Sequence, residues 1–120
     1  MELAGIDVQK GLKTVNNNSK LYTRLLGTFV AGNMQEALLE AVTSGDSQKI
    51  AAQAHAIKGV AGNLSLTQVM DLAASIEAKA KNDTPISEED PVVSEFKNAY
   101  AKTMESIKTI TDDPSVLDQF

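Results

Sequence analysis

Apolar residues recur at helical spacing along nearly all of this 120-residue chain, and no stretch alternates convincingly between apolar and polar as a strand would. Asp7 is the expected cap of a short first helix, 7–15, that stops at Asn16-Asn17-Asn18. Ser19 is the expected cap of a second, with Leu21, Tyr22, Leu25, Phe29 and Val30 on its apolar side. Gly32-Asn33 interrupts or bends it, and Asn33 with Glu36 resembles a capping box that restarts it through Met34, Leu38, Ala41 and Val42. Gly45 and Asp46 read as a C-cap followed at once by an N-cap, so the next helix, about 47–62, returns antiparallel. Ser65 with Gln68 is a second capping box, opening a helix from 66 to about 81 that carries Val69, Met70, Ala73, Ile76 and Ala80. After the polar loop NDTPISEEDP, a last helix begins near Asp90 or Pro91 and carries Phe96, Ala99, Tyr100, Thr103, Ile107 and Ile110. Short loops between amphipathic helices point to an all-α fold: an antiparallel up-down-up-down four-helix bundle with a short extra N-terminal helix. The expected organisation is a single domain over 1–120, the bundle at about 5–110, and a frayed tail at 111–120.

Composition excludes several functions. There is no cysteine, hence no disulfide framework, thiolate nucleophile or cysteine-ligated metal. A net charge of −5 with no basic stripe argues against nucleic-acid binding. No apolar run approaches the roughly 20 residues that span a bilayer, and MELAGIDVQKG lacks the basic start and apolar stretch of a signal peptide. A cytoplasmic location is expected.

The one histidine, His55, sits in QKIAAQAHAIKGVAGN among alanines and glycines. Ile50, Ala54, Ile57, Ala61 and Leu64 form the buried stripe of its helix, and at about 100° per residue His55 lies roughly 140° from its centre. Gln48 and Gly62 fall within about 20° of His55, and Ala51 and Gly59 within about 40°. Two helix-interior glycines each cost about 0.5–1 kcal/mol relative to alanine, which a bare surface for close approach by another molecule would offset. Glycines also let a neighbouring helix pack closely, and a lone histidine is often an ordinary surface residue; both readings stay open on pattern alone. Neither a Ser/His/Asp order, nor an HExxH spacing, nor a glycine-rich phosphate loop is present. What remains for a functional His55 is a nucleophilic imidazole on a convex surface, with the partner bringing the catalytic machinery.

The segment AHAIKGVAGNL, from Ala54 to Leu64, closely resembles the signature of histidine-containing phosphotransfer (HPt) domains, roughly aH-x-L-K-G-x-x-x-x-L. GID at 5–7, LYTRLLGTF at 21–29 and SIEAKAK at 75–81 look like that family's first helix, second helix and LE-containing helix, so the resemblance spans about residues 4–110. It implies a phosphorelay intermediate of two-component signalling, with no autonomous kinase activity. His55 would be the phosphoacceptor, Lys58 would position and partly neutralise the phosphoryl group, and Gly59 would keep the histidine accessible. The implied partners are response-regulator receiver domains and a hybrid sensor kinase. Any Mg²⁺ would sit in the receiver, with no cofactor in this chain, which is expected to be a monomer. The docking face expected for the receiver comprises Gln48, Ala51, Ala52, Gly59 and Gly62.

Glu77 is a further candidate. It lies about 50° from the centre of its helix's apolar stripe and within a turn of the level of His55. There it has three possible roles: accepting a proton from Nδ1 of the imidazole, pairing with Lys58, or remaining solvated. Phosphotransfer domains of chemotaxis kinases look similar in pairing a glutamate with the histidine. One departure is Ser65, where many family members have glycine; a changed turn with Ser65 as N-cap is expected.

Overall fold

A computed structural model describes residues 2–120. Among the described residues six α-helices follow one another: α1 (Val8–Thr14), α2 (Ser19–Gly32), α3 (Met34–Ser44), α4 (Ser47–Leu64), α5 (Thr67–Lys81) and α6 (Pro91–Asp112), with a closing 3-10 helix at Pro114–Gln119. The fold is all-α, a four-helix bundle with an extra N-terminal helix. One rod of the bundle is the interrupted α2–α3 segment: α3 packs on α4, while α2 lies chiefly against α6. No helix among the described residues is long and apolar enough to cross a membrane.

Capping side chains set the helix starts. Asp7 accepts from the amide of Lys10, Asp46 from those of Gln48 and Lys49, and Asp90 from that of Val92, with Pro91 in the first turn. Each satisfies amides that the helix leaves without a partner. Three expectations about caps need correction. Asn18 rather than Ser19 caps α2, its side chain accepting from Leu21. Asn33 is left-handed, φ 45°, and caps no amide; its Nδ2 donates to Glu36 Oε2 at 2.6 Å instead. Ser65 is also left-handed, φ 58°, so it closes α4 and leaves Leu66 as the uncapped start of α5. A left-handed residue at a helix end is the place where glycine carries no steric cost.

The tail is not frayed. Val116 and Leu117 are buried against the bundle, and Asp113 caps the 3-10 turn by accepting from Ser115. These two side chains are too few to show a period, yet each fully buried aliphatic residue contributes about 1.5–3 kcal/mol relative to exposure.

The buried stripe of α4 is the expected one, Ile50, Ala54, Ile57, Ala61 and Leu64, and α4 packs most closely on α5. The corner between them is held from the N-terminal side. The Tyr22 hydroxyl donates to the Leu64 carbonyl at 2.7 Å, and the Asp7 amide donates to the Ser65 carbonyl at 2.9 Å. These bonds use carbonyls that the end of α4 would otherwise leave without partners.

Candidate functional site

Because α4 is a continuous helix, the burial of its stripe turns His55 outward, with 68% of its side chain exposed. Gln48, Ala52 and Gly59 are exposed on the same helix, while Ala51 and Gly62 are half-buried. Ala52 also lines a shallow groove between α3 and α4 together with Ala37, Glu40 and Gln53. A Cβ built on Gly59 would meet nothing within 4 Å, and one on Gly62 would meet only Met70 Sδ at 3.4 Å. Close helix packing therefore does not account for Gly59. Val60, 37% exposed, adds an apolar edge next to it.

Glu77 reaches this site from α5. Its carboxylate is 5% exposed, yet three donors converge on it. His55 Nδ1 lies 2.7 Å from Oε2, Lys58 Nζ 2.5 Å from Oε1, and Lys81 Nζ 3.1 Å from Oε2. Of the three roles open to Glu77 in the sequence, the histidine contact and the Lys58 pair are both made, and solvation is excluded. The hydrogen bond from Lys58 is the largest influence holding the Glu77 carboxyl down to about 2; burial opposes it, and Lys81 and His55 reinforce it. The carboxylate is thus ionised at neutral pH and can only accept. The proton shared with His55 then belongs to Nδ1, and in the neutral imidazole this leaves the lone pair on Nε2.

Lys58 stands beside His55 as its spacing predicts, but its ammonium is engaged by Glu77. Lys81 is the group that sequence reasoning did not single out. Its signal was present in the Glu77-x-x-x-Lys81 spacing, which brings two side chains together on one helix face.

An exposed imidazole with a fixed tautomer, and no cleft around it, can act as a nucleophile toward an electrophile that another molecule presents. A family model described as "Hpt domain" matches residues 29–108 of the chain. No curated protein and no solved structure matches it.

Proposed function

The chain belongs to the Hpt domain family, whose members carry phosphoryl groups on histidine in phosphorelays, and from that membership we propose that His55 takes a phosphoryl group from the aspartyl phosphate of one receiver domain and passes it to the aspartate of another. The observation that carries this reading is the His55–Glu77 contact at 2.7 Å beneath an otherwise exposed ring. The Nε2 lone pair forms the N–P bond while the P–O bond to the aspartate breaks, and the departing carboxylate keeps the electron pair. Nδ1 keeps its proton, so the positive charge acquired by the ring faces the Glu77 carboxylate. The return step reverses this on a second receiver. On this reading Lys58, whose ammonium now pairs with Glu77, serves the new phosphoryl oxygens as a flexible point charge.

The receiver supplies what a convex surface lacks: the aspartate and the Mg²⁺ that neutralises charge in the transition state. It docks over Gln48, Ala51, Ala52, Gly59 and Gly62. On this reading a hybrid sensor kinase feeds the relay, and the chain acts as a cytoplasmic monomer without kinase activity.

The test is transfer from a phosphorylated receiver. Wild-type protein takes the label, His55→Gln takes none while keeping its helical circular dichroism, and ATP alone labels neither. Undiminished, acid-stable labelling of His55→Gln would sink the reading. Receiver binding without transfer to the wild type would favour a non-catalytic adaptor.

A further inference from the structure

The Glu77 side chain is covered, 5% exposed, and a carboxylate held away from water is destabilising when it is left without a counter-charge. For Lys58 to serve a phosphoryl group on Nε2, its ammonium has to turn at least partly away from Oε1, where it now sits at 2.5 Å. His55 Nδ1 stays on Oε2, and so does Lys81, the last residue of α5, whose side chain is 65% exposed and rises over the carboxylate from one turn further on. Two lysines on one carboxylate exceed what neutralisation requires. One of them is free to change partners while the other stays.

Resting on the phosphoacceptor reading of His55, we infer that Lys81 is a positioning residue: it holds the Glu77 carboxylate when Lys58 swings to the phosphoryl group, and so makes Lys58 available. Lys81 acts through Lys58 and does not touch the reacting atoms. A plain surface pair at this spacing would stabilise α5 slightly and nothing more. The convergence of Lys58, Lys81 and His55 on one buried group separates the two cases, because only a shared carboxylate couples the lysines to each other.

The experiment loads His55 chemically with phosphoramidate, a small phosphoryl donor that needs no docked receiver. The midpoint of the phosphohistidine's near-neutral protonation is then followed by ³¹P NMR. A paired Lys58 lowers that midpoint. Lys81→Met keeps the aliphatic stem and removes the charge; it is expected to raise the midpoint by about half a unit, the effect of losing one partly exposed ion pair. Lys58→Met raises it at least as much, and adding Lys81→Met to Lys58→Met moves it no further. Lys81→Arg retains the wild-type value. An unchanged midpoint in Lys81→Met overturns the inference, as does a shift of the same size whether or not Lys58 is present. Wild-type protein that takes no label on His55 overturns the phosphoacceptor reading and this inference with it; a labelled wild type with a flat Lys81→Met response overturns the inference alone.

Discussion

Gly11 in α1 and Gly59 in α4 both stand inside helices, where alanine would ordinarily be favoured by about 0.5–1 kcal/mol. At Gly11 a Cβ would run into the hydroxyl and ring of Tyr22, so the missing side chain lets α1 lie against α2. At Gly59 a Cβ would meet open space. The first glycine serves packing within the molecule. The second meets nothing within it, and its cost in stability fits the proposal that another body comes close to α4. The same residue type thus marks a region built for stability and a region that gives some stability up.

The largest effect that would break this contrast is a bulky side chain at position 59. Gly59→Leu should slow phosphoryl transfer from a receiver at least about tenfold, the equivalent of ~1.4 kcal/mol of lost docking, while phosphoramidate still labels His55 at the wild-type rate. Equal rates from both donors would leave Gly59 without a role. Gly11→Ala should do the reverse: thermal or urea unfolding should show a loss of about 1–3 kcal/mol from overpacking against Tyr22, with phosphoramidate labelling unchanged.

The two regions also weaken at opposite ends of the pH scale. The Glu77 carboxyl is held at about 2 against an ordinary 4.5, chiefly by Lys58, so its contribution is complete above 4.5 and is lost as pH falls toward 2. Tyr22 is shifted upward, first by burial and then by Asp7, so its contribution is present below its ordinary 10.0 and is lost as pH rises beyond it. Urea titrations across pH should show Glu77→Gln flattening the acid limb and leaving the alkaline limb alone.

Ser65 sharpens the comparison from a third side, as a place where the backbone suits glycine and the chain has none. It is left-handed, buried, and its Oγ has no hydrogen-bond partner. Ser65→Gly should stabilise the protein by about 1 kcal/mol, measured by urea unfolding. Gly59→Ala should give the smallest change, a gain of about 0.5–1 kcal/mol in the same assay. A loss there would mean that Gly59 does serve the fold.

Angular position on a helix depends only on spacing, so the outward turn of His55 and the inward stripe of α4 were legible before any coordinates. The proximity of Glu77 was legible as one of several possibilities, because a short connection fixes which helices are neighbours but not where a carboxylate bends. The turn at Ser65 differs from its sequence pattern for a physical reason. Ser-x-x-Gln has the spacing of a capping box, yet whether Ser65 ends one helix or starts the next is decided by a backbone angle that tertiary contacts impose. Lys81 does not stand out in the sequence because an exposed lysine at a helix end is ordinarily only a favourable charge for the dipole; the covered carboxylate beneath it is visible only once α4 and α5 are packed.

The ties that run from Asp7 and Tyr22 to the end of α4 bear on where this domain can be cut. The segment 29–108 that identifies the family leaves out both residues, and it also leaves out the buried Leu12, Leu26, Ile110 and Leu117. A fragment trimmed to those limits would keep His55, Lys58 and Glu77. It would also strip the Leu64 and Ser65 carbonyls of their donors and open the core at both ends. The stretch of chain that can be recognised is narrower than the stretch that must be present for the recognised residues to hold their places.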